Sequence, residues 1–173
     1  MRSGFALLIV GLMITISGCS SLSVSQDYDT KYDFATLKTF GFMETPTDAG
    51  VSQLTVDRVV SATKSSLEYL GYTESDDPDF LVAMHGGQKT QTQIDSYGYG
   101  YGWGWGAGGV DVYQYQEGTL IIDIVDAKNK DLIWRGTGQD VVDPNADTQK
   151  RTETINNAVS KILAQFPPTT SSS

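Results

Sequence analysis

Cysteine and histidine are almost missing from this 173-residue sequence, which has one of each. A lone cysteine cannot close an internal disulfide or supply a multi-cysteine metal site. A lone histidine excludes the zinc centres built on two or three imidazoles. Basic residues are scarce too, 12 Lys and Arg against 21 Asp and Glu, for a formal charge of −9. That balance argues against nucleic acid as a partner, because phosphate binding needs clustered Lys and Arg. The GxSxG nucleophile elbow does not occur. What is present, 39% hydrophobic and 19% charged residues, suits one globular domain and not wholesale disorder.

The lone cysteine acquires a meaning from what precedes it. Arg2 gives a positive start, and Phe5–Ile16 (FALLIVGLMITI) is an almost wholly apolar run of twelve residues. A bilayer-spanning helix needs roughly 20, so the run has the length of a secretory signal core instead. Ile16-Ser17-Gly18-Cys19 follows. It resembles the lipobox of bacterial lipoproteins, in which an aliphatic residue and two small ones precede the cysteine that is acylated. Small residues at 17 and 18 would let a membrane-embedded peptidase reach the bond before Cys19. Two or three acyl chains, each contributing about 0.8 kcal/mol per buried CH₂, would then anchor the chain stably. Ser20 stands where an Asp would signal retention in the inner membrane. In a Gram-negative host the resemblance therefore implies the outer membrane, facing the periplasm. Loss of residues 1–18 removes Arg2 alone among the charges, leaving 11 basic against 21 acidic residues and a net charge of −10. Such a body is repelled by anionic lipid surfaces, and its lipids must hold it.

After the leader (1–18), residues 19–30 are polar and Ser-rich and read as a lipidated tether. A single α+β domain is expected over 31–168, with a Gly/aromatic insert at 96–109, and a disordered tail at 169–173. Tyr32–Phe42 reads as a strand with an irregularity near Thr36. Val56, Val59, Val60, Thr63, Leu67 and Leu70 form one helical stripe, with Ser52 or Thr55 at its start and Gly71 at its end. Phe80–His85 reads as a buried strand, with Lys89–Ile94 as a polar extension, and Val110–Tyr115 as another strand. Gly118–Asp126 and Asp131–Gly136 flank a four-residue turn like a hairpin. Ile155, Ala158, Val159, Ile162, Leu163 and Phe166 mark a second helix, ended by Pro167-Pro168. A mostly antiparallel sheet with both helices packed on one face buries both stripes, which is an α+β layer.

Four stretches of this chain resemble the bacterial lipoproteins grouped as the domain-of-unknown-function family numbered 4136. They are Tyr32–Phe42, Leu70-Gly71-Tyr72 with Asp77–Val82, Gly118–Ile124 with Trp134-Arg135-Gly136, and the helical segment ending Phe166-Pro167-Pro168. Phe42 stands where members often have Trp. The resemblance implies an envelope lipoprotein with an α+β domain, often with a Gly/aromatic insert. It implies no established activity.

Ser96–Gly109 is the most unusual stretch, with Tyr97, Tyr99, Tyr101, Trp103 and Trp105 alternating with glycine. If extended, period two puts all five rings on one face, where they could contact a partner protein, a glycan or a membrane interface. The competing reading is a flexible loop, since glycine makes ordering costly. Gly104–Gly109 also satisfies GxGxxG, but it lacks the strand before and the helix after that dinucleotide binding requires. Asp143, Asn145 and Asp147 have the first spacings of a calcium loop, yet Thr148 and Thr154 stand at its required Gly and Glu. A helix start is the better reading. Asp123, Asp126 and Asp131 could gather near the hairpin end, and Arg135 could pair with one of them. His85 has no recognisable catalytic partner in the sequence.

The expected protein is thus a lipid-anchored, outer-membrane, periplasm-facing interaction or structural module. It is not expected to be an enzyme, to bind a metal or to use a cofactor. Its partners would be the membrane, through acyl chains on Cys19, and an envelope protein or glycan. Binding of cell-wall glycan or an apolar ligand through the Tyr/Trp-Gly stretch is the alternative, and a hydrolase the second alternative.

Overall fold

Period-two alternation in three neighbouring strands produces one apolar face, and both helices are drawn onto it. The computed structural model describes residues 21–43, 51–96 and 110–169. The strands are β1 (Ser23–Tyr28), β2 (Thr39–Phe42), β3 (Thr73–Glu74), β4 (Phe80–Ser96), β5 (Val110–Asp126) and β6 (Leu132–Val142). Helix α1 (Gln53–Tyr69) lies between β2 and β3, and α2 (Thr148–Leu163) follows β6. The sheet order is β1-β6-β5-β4-β2-β3. Pairing is antiparallel from β1 to β4 and parallel where β2 meets β4 and β3. This is the expected α+β layer.

Register decides what is buried. Val82 lies opposite Ile124 and Trp134, and Met84 opposite Ile122 and Gly136, so these residues share a face. They join Ala62 and Leu67 of α1 and Val159, Ile162 and Leu163 of α2 in one core. Gly136 is a packing requirement, because a Cβ there would collide with the Trp134 ring and the Ile162 side chain. At the lower end Phe166 meets Phe34, Tyr72, Phe80 and Trp134, with ring centroids 5.3–6.0 Å apart.

The helix ends follow the sequence signals. Ser52 caps α1 by accepting from the Thr55 N–H. Gly71, at φ +96°, ends it: the Tyr72 N–H donates to the Leu67 carbonyl and the Gly71 N–H to that of Glu68. Two carboxylates pin the strand ends. Asp79 accepts from the backbone N–H groups of Lys38 and Thr39, and Asp126 from the Tyr32 hydroxyl at 2.6 Å and the N–H groups of Lys128 and Asn129.

Those bonds hold both carboxyls below the usual range, through the Thr39 N–H first for Asp79 and the Tyr32 hydroxyl first for Asp126. A carboxyl whose folded pKa is depressed contributes stability above its unfolded value of about 3.9. That contribution disappears as pH falls through the lower, folded value. Urea titrations between neutral pH and strong acid should therefore show stability falling below about pH 4. In Asp126→Asn the fall should be shallower, and an unchanged slope would show that Asp126 is not one of its causes.

Two expectations need correction. Residues 23–28, read as part of a tether, form β1, paired with β6 from Ser23–Gln139 to Tyr28–Trp134. Edge strands are often polar, and here Val24 and Tyr28 are the apolar residues turned to the core. Tyr32–Phe42 is not one strand: Phe34–Thr36 is a 3-10 turn capped by Asp33, and pairing begins at Thr39. Elsewhere the expected strands are longer. Phe80–His85 and Lys89–Ile94 belong to one continuous β4, and Val110–Tyr115 and Gly118–Asp126 to one β5.

Candidate functional site

Chain direction brings several features to one end of the sheet. Strand β4 runs toward that end and β1 starts from it, since Ser23 lies level with Gln139, Thr119 and Gly87. Strand β6 stops at Val142, opposite Gln116. Beyond that point β4 and β5 continue as a two-stranded arm in which residues 91–96 pair with 110–115. Six pairs at about 3.3 Å each carry the arm about 20 Å past the sheet. Residues 97–109, with Tyr97, Tyr99, Tyr101, Trp103 and Trp105, join its two strands and lie outside the described residues. So do the leader, Cys19 and the last four residues. Cys19 precedes Ser23 by four residues, a span of at most about 14 Å.

The N-terminal halves of α1 and α2 open over the same end. Between them and the sheet is a cavity of about 170 Å³, with Val56, Val59, Met84, Leu120, Ile155 and Ala158 among its walls. Its floor contains Gly86, Gly118 and Gly138, which the register puts on the helix-covered face. Leu22, one residue before β1, also lines it.

The other face of the sheet carries a charged group of a different kind. Asp123 is 6% exposed in its side chain, while Arg135 beside it is 45% exposed. The guanidinium grips the carboxylate with two 2.7 Å bonds, Nε to Oδ1 and Nη2 to Oδ2. This hydrogen bonding, before the charge attraction, raises the Arg135 pKa. His85 Nε2 stands 3.7 Å from Asp123 Oδ2, outside direct hydrogen-bond range. Cross-strand neighbours of His85 and Asp123 on this face are Ile121, Ala83 and Arg135, which supply no nucleophile. The trio is a braced carboxylate on a sheet surface.

The acids named from the sequence are divided by period two. Asp123 and Asp126 are an odd number of residues apart on one strand and point to opposite faces, so the hairpin acids do not converge. Asp126 is spent on Tyr32 and the turn. Asp143 accepts from the Asn145 N–H and Asp147 caps α2 through the Lys150 N–H, as a helix start requires. Among the described residues no group of three His, Cys, Asp or Glu could hold a metal ion. Among them, too, no helix is long and apolar enough to cross a membrane.

That Arg135 could pair with one of the hairpin acids was legible in the sequence, but which acid was not: an unbroken register from a turn at 127–130 would put Asp123 opposite Trp134, and the irregularity at Ile124/Val125 moves it opposite Arg135. The glycine-floored cavity is absent from the sequence-based expectations. Its signal was the recurrence of Gly86, Gly118 and Gly138 inside runs that otherwise read as strands.

Several solved structures are similar to this chain at low identity. A PDZ domain protein from Parabacteroides distasonis superposes with a TM-score of 0.56 and 14% identity over 87% of this chain, which spans 36% of that protein. The PelC dodecamer from Paraburkholderia phytofirmans gives a TM-score of 0.45 at 14% identity, covering 83% of this chain and 95% of that one. A neuraminyllactose-binding hemagglutinin homolog from Helicobacter pylori gives 0.42 at 14%, covering 78% and 88%. At 14% identity the likeness to the first of these concerns the fold alone. No curated protein matches the chain significantly. The family described as Domain of unknown function (DUF4136) matches residues 24–168, from the first edge strand to the prolines after α2, and the chain belongs to that family.

Proposed function

We propose that this protein is a lipid-anchored module of the bacterial outer membrane, facing the periplasm, that works by interaction or structural support and not by catalysis. The observation that carries the reading is the short distance from Cys19 to the fold. Three residues separate the lipidated cysteine from Ser23, the first residue of the sheet. An anchor so close to β1 holds the end of the sheet with the arm and the cavity toward the bilayer. The acidic body has no electrostatic reason to approach an anionic surface, so the acyl chains supply the attachment. A glycan or apolar partner met through the Tyr/Trp-Gly stretch is the second reading. It is favoured by the β4–β5 arm, which carries both ends of that stretch past the sheet.

Location is tested by separating inner and outer membranes on a density gradient. The native chain should band with the outer membrane, and Ser20→Asp should move it to the inner membrane. A native chain in the inner-membrane or soluble periplasmic fraction would overturn this location.

A further inference from the structure

The glycines beneath the helices do not all serve the same purpose. At Gly118 a Cβ would come within 2.6 Å of Val142, and at Gly138 within 2.8 Å of Ile162, so close packing explains both. Gly86 is different. A Cβ there would meet only the Thr119 carbonyl oxygen, at an ordinary 3.6 Å, and the residue is not among those with positive φ. Neither packing nor backbone conformation calls for glycine at this position. Its missing side chain leaves the hollow beneath Val56, Val59, Ile155 and Ala158 open. The walls are aliphatic, whereas Thr55, Gln88 and Asp140 are polar residues bordering the same space. Aliphatic walls with a few polar groups suit an apolar ligand.

Chain geometry says which apolar group is nearest. The Ser21 hydroxyl is bonded to the Asp140 carboxylate, which fixes the chain at the cavity border, and Leu22 contributes to the lining. From Ser21 only two residues lead back to Cys19, a reach of about 7 Å. We propose that the cavity receives part of a fatty acyl chain carried on Cys19 of the same molecule, an inference that rests on the lipid-anchor reading. Its size fits a segment of one chain. A cavity of about 150 Å³ lined by Leu, Ile and Phe takes up benzene, so 170 Å³ accommodates about six carbons. The remainder of that chain and the other chains stay in the bilayer. A tethered ligand is present at an effective concentration of about millimolar, which favours it over a free lipid of the same chemistry. The clamped segment would fix the domain's orientation on the membrane, where a free tether would let it swing.

The test uses the full chain in intact cells fed a fatty acid with a diazirine near its end. After irradiation, peptides are analysed for cross-links from the Cys19-borne lipid. Expected are intramolecular links to residues 51–59 and 154–158. They should be lost in Gly86→Leu and, independently, in Ala158→Leu, with label on Cys19 unchanged in both. Links from Cys19 lipid to phospholipid alone would overturn the inference. Links to the cavity peptides from free phospholipid would also overturn it, by naming a different occupant. In either case labelled Cys19 would leave the anchoring reading standing. Absence of label from Cys19 would instead remove the anchoring reading, and this occupant with it.

Discussion

A Cys19→Ser chain exported behind an ordinary cleavable signal peptide in place of residues 1–18 is expected to leave the membrane fraction completely and to be recovered as soluble protein. The effect is all-or-none because attachment through acyl chains has no substitute elsewhere in the molecule. One myristoyl chain gives only a marginal membrane affinity of about 10⁴ M⁻¹, and stable anchoring takes a second signal. Here the second signal would be further acyl chains, and they hang on the same sulfur and amine. Removing that sulfur removes every chain attached to it, and the leader is replaced because, left uncleaved, its apolar run Phe5–Ile16 would itself hold the chain in the membrane. The mature body, at −10, offers no basic face to compensate. The folded domain should be unaffected, since Cys19 precedes its first strand. Carbonate-washed membranes probed for both chains give the answer. Persistence of the leader-replaced Cys19→Ser chain in those membranes would contradict the anchoring reading.

Phe166→Ala should cost about 3–5 kcal/mol of stability. Phe166 is 2% exposed and lies among Phe34, Tyr72, Phe80 and Trp134, which come from the 3-10 turn, the segment after α1, and strands β4 and β6. Rings from four parts of the chain cannot all move inward to fill the space, so a cavity term adds to the lost transfer energy. For a domain of ordinary stability, about 5–15 kcal/mol, this is a large fraction of the whole. The urea midpoint should fall accordingly, with Tyr69→Ala, at a site 92% exposed, within about 0.5 kcal/mol of the native chain. A loss below about 1 kcal/mol for Phe166→Ala would mean that the aromatic cluster does not hold the lower end of the core together.

Much of the layer was legible in the sequence because helices announce themselves. The stripes of α1 and α2, Ser52, Gly71 and Pro167-Pro168 each match a local physical requirement that needs no tertiary context. The hairpin of β5 and β6 was legible for the same reason. Strand β1 was not, because an edge strand buries few side chains and its polar residues read as a tether. The 3-10 turn at Phe34–Thr36 depends on Asp33 capping and on Phe34 reaching the aromatic core, neither visible as periodicity. The charged trio was only partly legible. Asp123 faces Arg135 because of the irregularity at Ile124/Val125, and His85 reaches them only through the β4–β5 register. The cavity arises from glycines far apart in sequence that align only when three strands are paired.

The claim on which the functional account stands is that the mature chain begins with a lipidated Cys19. Mass analysis of the N-terminal peptide of the protein purified from its native membranes tests this directly. The expected peptide begins at Cys19 and is heavier than its sequence by a diacylglyceryl group, with or without a third acyl chain on the amine. A peptide beginning elsewhere, or one in which Cys19 carries an unmodified thiol, would contradict it.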